Sequence, residues 1–296
     1  MGERGGAVSP PGRPKAKCGP LGGAATRAAA ERGGYLVKLL VMTTNSFSPP
    51  CVATNEVIPA LRQQGYAVLD AQSVATLSKL SLADLNALLP SWNDLPPDQY
   101  LKDGGRYRRR RHASYQVDGD TVQPVPHRAH WQPLDYNALH GGMQRWFDPV
   151  AVDTSAHAAW NALLQTLGAV ASALKGVQTW FVEAHQFRID TTDGIGRPTP
   201  EGAHRDGVDV VAVFLVGRHG VKGGETRVFE AAGPNGQRFT LTEPWSLLLL
   251  DDARVIHEST PIQPIEAGGH RDTLVITLRA HGFQDDRPPR ISAEPD

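Results

Sequence analysis

Cysteine is nearly absent from this chain. Of 296 residues, only Cys18 and Cys51 carry a thiol. Two cysteines, both near the N-terminus, are too few for a disulfide framework and form no metal pattern. A reducing, cytoplasmic setting is the expectation. Excess charge is also missing. Thirty Lys and Arg against 31 Asp and Glu leave a formal charge of -1, which argues against a general nucleic-acid or membrane-surface role. No apolar run approaches the roughly 20 residues needed to cross a bilayer, and no internal repeat is evident. What is there is a chain long enough to bury a full core, of a size common for a single all-β domain.

Residues 1–46 differ from the rest. They are dense in Gly, Ala, Pro and Arg and poor in acids and aromatics. Such a stretch cannot bury enough apolar surface to offset its ordering entropy, so a disordered tail is expected, with Met42 as a natural start. The alternative is a targeting segment with Tyr35 to Met42 as its apolar part. That part is short, Lys38 interrupts it, and no A-x-A-like site follows clearly. Residues 47–296 are expected to form one domain.

Within that domain helices come first. Val57 to Gln64 has helical spacing and stops at Gly65. Tyr66 to Leu69 reads as a short strand. Ser73 to Leu77 and Ser81 to Leu89 read as amphipathic helices, the second with Ser81 and Asp84 as a capping box. His157 to Leu174 reads as a long Ala/Leu-rich helix. After Gly176 strand-like runs succeed one another: 178–189, 208–216, 225–230, 238–241, 246–250 and 273–279. Turn residues separate them. Helices followed by many strands predict an α+β chain with a sandwich or barrel core and helices outside.

The chemistry concentrates at His204-Arg205-Asp206 and at His257. His204 and Asp206 are two residues apart, and on a β-strand such residues project from one face. The next segment, Val208 to Val216, is rich in β-branched and apolar residues. His257 follows the apolar run Leu247 to Leu250. Two imidazoles and one carboxylate on a β scaffold, with one side of the metal open, form the facial triad of non-haem Fe(II) oxygenases. His185, His219, His270, His281 and Glu225 are rival ligands, but none has an acidic partner at i+2 just before a strong strand.

Arg271 opens the strand that ends at Arg279. A guanidinium presents a planar fork to a carboxylate, so Arg271 is a candidate co-substrate anchor. Thr273 or Thr277 can add a hydroxyl on the same face. In the basic run Arg106 to His112, alternate arginines can face an anionic substrate. Arg109 and, on the strand before the metal motif, Arg188 are the candidate substrate-binding residues.

Pro200-Glu201-Gly202-Ala203-His204-Arg205-Asp206-Gly207 resembles the PEGxHxDG motif of bacterial 2-oxoglutarate/Fe(II) dioxygenases that hydroxylate amino acids, including L-isoleucine and N-succinyl-amino-acid hydroxylases. Supporting phrases are Gly223 to Thr226, Asp251 to His257, Gly269 to Asp272, Tyr107 to Arg110, and Gln132 to Phe147 with Asn137, Gly141-Gly142, Arg145 and Phe147. The likeness spans about 99–279. It implies a double-stranded β-helix (jelly-roll, cupin-like) core with flanking helices. It implies His204, Asp206 and His257 as iron ligands, Arg271 as the 2-oxoglutarate anchor, and Fe(II), 2-oxoglutarate and O2 as cofactor and co-substrates. Asp206 favours hydroxylation over halogenation, because related halogenases lack that carboxylate. The expected reaction hydroxylates an unactivated C–H of a free or N-acylated aliphatic L-amino acid and releases succinate and CO2. The expected partner is a small amino-acid-like molecule, not nucleic acid or membrane, with a homodimer left open. The alternatives are a non-catalytic jelly-roll module that binds a small acid or a metal, and a dioxygenase acting on a macromolecule.

Overall fold

The computed structural model describes residues 48–137 and 139–286. The expected tail therefore lies outside the described residues. The chain starts with helix α1 (Val57–Gln64), which ends at Gly65 in the left-handed region, φ 80°. There a Cβ would meet Val255 Cγ1 at 2.8 Å, so glycine satisfies both the turn and the close approach. Strand β1 (Tyr66–Leu69) and helices α2 (Ala71–Ser78) and α3 (Leu82–Asn86) follow. The Ser81/Asp84 capping box forms as the sequence predicts. The helix expected to reach Leu89 is shorter, and a 3-10 turn at Leu89–Trp92 containing Pro90 takes over; proline cannot donate the next helical hydrogen bond.

Strands β2 (Arg108–Asp118) and β3 (Thr121–Pro124) precede helices α4 (Val152–Ser155) and α5 (Ala158–Lys175). Then come β4 (Trp180–Asp190), β5 (Val210–His219), β6 (Val221–Gly223), β7 (Thr226–Glu230) and β8 (Gly236–Phe239). The chain continues through β9 (Leu247–Asp251), β10 (Val255–Ser259), β11 (Ile262–Pro264) and β12 (His270–Arg279).

A seven-stranded antiparallel sheet runs in the order β1-β9-β5-β12-β4-β2-β3. Two smaller sheets, β10-β7-β8 and β11-β6, supply the other wall. The core is a jelly roll with flanking helices. Alternation along the strands assigns each residue to a face. Val210, Ala212 and Phe214 of β5 pack with Leu163, Leu164 and Leu167 of α5. Val211 and Leu215, one residue out of phase, pack with Val228, Phe239 and Val255 between the sheets. Every residue of the Leu247–Asp251 strand is buried, because both of its faces are covered.

Candidate metal and co-substrate site

The open end of the roll carries the site. His204 is not within a regular strand. It forms an isolated antiparallel bridge with His257 on β10. The N–H of His204 donates to the His257 carbonyl at 3.0 Å, and the reverse bond is 2.9 Å. The two rings stand 4.7 Å apart. Asp206 lies in the loop that leads into β5. The same-face relationship expected for residues two apart is thus achieved by an extended loop rather than by a strand.

His204 Nε2 is 3.8 Å from one Asp206 oxygen and His257 Nε2 is 3.7 Å from the other. One ligand atom from each residue falls within 4.8 Å of the others. Second contacts fix the orientation. His204 Nδ1 lies 2.9 Å from the Gly202 carbonyl. It therefore donates there, which leaves the Nε2 lone pair facing Asp206. The Asp252 carboxylate accepts from the backbone N–H of Asp206, Gly207 and Val208 at 3.0, 2.8 and 3.2 Å. Gln132 Nε2 donates to Asp206 at 3.3 Å. Burial pushes the Asp206 carboxyl up to about 6. Burial and the neighbouring His204 hold the His257 imidazole well below its ordinary range. A divalent cation between them favours the deprotonated form of both, so this donor set fits a metal.

Arg271 and Thr273 open β12, and both line the same cavity with Val275 and Thr277. Arg271 is 3% exposed. Its Nε and Nη2 are buried without a hydrogen-bond partner, and burial pulls its pKa down to about 10. A buried guanidinium without a counter-anion is costly unless a ligand supplies one. The carboxylate of a dicarboxylic co-substrate meets that need. Arg279, at the far end of the strand, instead donates to the carbonyls of Gly282 and Phe283.

Two expected residues are placed elsewhere. Arg109 does not line the cavity. It is 3.5 Å from Asp190, with its side chain 42% exposed. Parity decides this: along β2 the inward residues are Arg108, Arg110 and His112, and Arg109 and Arg111 face out. Arg188 is also outside the cavity lining and pairs bidentately with Asp272, at 2.8 and 2.7 Å. Among the rival ligands, His219 pairs with Glu266 on the surface, and Glu225 pairs with Arg227.

The inward wall holds residues to which the sequence assigned no role. Arg108 bonds the buried Asp98 at 2.7 Å. Arg110 lies 3.7 Å from the Phe147 ring and 4.4 Å from the Phe187 ring. Arg145 is 2% exposed. It donates to Gln132 Oε1 at 2.9 Å and is in no ion pair among the described residues. Gln132 therefore links Arg145 to the Asp206 carboxylate. The legible signal was alternation: on β4 the polar Glu183 and His185, two residues apart, line the cavity together with Phe187 and Ile189 at the next positions of the same face.

His112, His130, Glu183 and His185 also bring ligand atoms within 4.8 Å of one another. They do not form a metal cage. Arg110 Nη2 occupies His185 Nδ1 at 2.7 Å, and a guanidinium there opposes a cation. His112 and His130 both engage a single oxygen of Glu183, at 3.0 and 3.1 Å. Burial keeps these imidazoles neutral, with His130 pulled down to about 4.

Among the described residues, no helix is long and apolar enough to cross a membrane. No curated protein matches the chain. Among solved structures, a bsmA homolog from Methylobium petroleophilum PM1 is 52% identical. It covers 79% of this chain and 96% of its own, with a TM-score of 0.76. IDO from Bacillus thuringiensis, at 16% identity, covers 78% and 100%, with a TM-score of 0.64. The Fe(II)/(alpha)ketoglutarate-dependent dioxygenase TqaL, at 19% identity, covers 77% and 87%, with a TM-score of 0.60. The last two share the fold. The family model for 2OG-Fe dioxygenases matches residues 89–277. The chain belongs to the 2OG-Fe dioxygenase family, which uses Fe(II), 2-oxoglutarate and O2.

Proposed function

We propose that this dioxygenase hydroxylates an unactivated C–H of a free or N-acylated aliphatic L-amino acid, with release of succinate and CO2. The observation that carries the reading is Arg145. This buried, unpaired guanidinium is tied through Gln132 to Asp206 and lines the same cavity as the triad. A small carboxylic acid is the ligand such a wall recognises.

In this reading His204, Asp206 and His257 hold the iron, and Arg271 with Thr273 holds the far carboxylate of 2-oxoglutarate. The bound iron and co-substrate supply the oxidising power for C–H cleavage. The protein's own residues do the rest. Gly202 and Asp252 fix the ligand loop, Phe187 and Val275 keep part of the cavity apolar, and Arg145 orients the substrate acid. Arg108 and Arg110 take the place on the substrate side that Arg109 was expected to fill. The near-neutral charge and the scarcity of cysteine suit a cytoplasmic enzyme acting on a small molecule.

The test is a screen of free and N-acylated amino acids with Fe(II) and 2-oxoglutarate, reading succinate and a mass gain of one oxygen. Coupled succinate with any aliphatic amino acid or its N-acyl form supports the reading. No product from the whole panel would overturn it.

A further inference from the structure

We propose that Gln284 is a positioning residue of the metal centre and that Arg128 latches it in place, so that the turn after β12 is part of the site. The proposal rests on His204, Asp206 and His257 as the iron ligands and is independent of the substrate.

Residues 205–208 lie in no strand, yet their peptide groups still need partners where water is excluded. Two side chains supply them. Asp252 accepts from the N–H groups of Asp206, Gly207 and Val208. Gln284 takes the carbonyls. Its Nε2 donates to the Asp206 carbonyl at 2.6 Å and to the Gly207 carbonyl at 3.1 Å. A side-chain amide has two N–H donors, and both are used on this loop. Gln284 is buried and lines the cavity with the triad. Asp209 adds a further attachment. Its N–H donates to the Leu278 carbonyl at 3.0 Å, and its Oδ2 accepts from the Ala280 N–H at 2.8 Å. Residues 278–284 thus hold the ligand loop at Asp206, Gly207 and Asp209.

The turn is anchored in its own right. Gly282, at φ 83°, reverses the chain after β12, and a 3-10 turn spans Gln284–Asp286. Arg128 Nη2 donates to Asp285 and, at 2.7 Å, to Asp286. The same guanidinium stands 3.9 Å over the Phe283 ring, and Phe283 packs edge-on against Phe181. Arg128 shares a segment with Gln132, which donates to the Asp206 carboxylate at 3.3 Å. One segment therefore holds Asp206 by its carboxylate and another by its carbonyl, and Arg128 ties the two segments together. A ligand fixed at both ends keeps one orientation toward His204 and His257, so little freedom is left to lose when a metal binds.

The experiment measures Fe(II) affinity of the full chain and its variants by anaerobic titration. Ligand-field absorption at saturating Co(II) and thermal unfolding of the metal-free protein run beside it. Gln284→Leu keeps much of the bulk and removes both donors. It should weaken Fe(II) about 10-fold and change the Co(II) spectrum. A residue that only stabilised the fold would lower the melting temperature and move neither readout. Arg128→Leu touches no hydrogen bond of the ligand loop and should weaken Fe(II) about threefold, as losing a part-exposed ion pair does. The double variant should be no weaker than Gln284→Leu alone, because both act through one contact. Additive losses would overturn the latch. Asp206→Ala is the reference: Fe(II) affinity like the parent's would sink the ligand assignment and the proposal with it. If Asp206→Ala loses the metal while Gln284→Leu stays within about twofold of the parent, or leaves the Co(II) spectrum unchanged, the proposal falls and the triad stands. Should Gln284→Leu not fold, Asp285→Asn combined with Asp286→Asn loosens the same turn from its surface side, and an unchanged Fe(II) affinity there would overturn the proposal equally.

Discussion

His204 and His257 hold each other through both backbone hydrogen bonds of one β-bridge, at 3.0 and 2.9 Å, although 53 positions separate them. The bridge sets two imidazoles 4.7 Å apart before any metal arrives. Preorganised ligands lose little freedom on binding, which favours affinity.

Replacing His204 or Asp206 by Ala should abolish Fe(II)-dependent decarboxylation of 2-oxoglutarate. The check is succinate release together with Fe(II) binding at equilibrium. Retained activity in either variant would move the metal elsewhere.

Arg271→Ala should weaken 2-oxoglutarate on the order of 100-fold, as truncating a buried charged partner costs roughly 2–5 kcal/mol. Fe(II) affinity should change little. The concentration dependence on 2-oxoglutarate is the measurement, and an unchanged requirement would reassign the anchor.

Asp252→Ala removes the acceptor of three backbone N–H groups in the ligand loop. Metal affinity should drop by about 10–100-fold, the usual effect of losing a group that orients ligands. The melting temperature should fall as well, because buried donors lose their partner. Metal titration and thermal unfolding, compared with the parent, give the answer. Unaltered metal affinity would show that the loop holds its shape without Asp252.

Acid should destabilise the fold before carboxylates protonate in bulk. Burial holds His130 at about 4 and His112 and His185 below their ordinary value. Each is neutral when folded, whereas the unfolded chain takes up protons as pH falls through about 6.5. The unfolded state therefore binds more protons between about 6.5 and 4, and stability is lost on acidification by about 1.4 kcal/mol per pH unit for each such imidazole. Glu183, held low by its two histidine partners against burial, adds to the loss below its unfolded value. Urea midpoints at pH 7 and pH 5 test this, and a flat profile would contradict a neutral histidine wall.

Much was legible from local pattern. Helices α1 and α5, the long strands after Gly176 and the Ser81 capping box follow from apolar period, capping residues and glycine stops, which act within a few residues, whereas β2 (Arg108–Asp118) was not among the expected strands because its arginine run masks the apolar alternation. The triad was legible because His204 and Asp206 are close in sequence and His257 follows a strongly apolar strand. The face taken by the arginine run was not. Arg108 to Arg111 are chemically alike, so composition could not say which of them alternation would turn inward. It turned Arg108 and Arg110, and left Arg109 to Asp190. Arg188 carried no sign that Asp272, on the neighbouring strand, would engage it.

By itself the sequence determined the donor types, their order and the alternating strands that carry them, since those depend on residue chemistry and near-neighbour spacing. Only the tertiary structure decided that His257 closes on His204. The same holds for Gln132 joining Arg145 to Asp206, and for His112 and His130 meeting on one oxygen of Glu183. Those relations depend on strand register and on which face is buried, and both are set when the sheets pair across long stretches of chain.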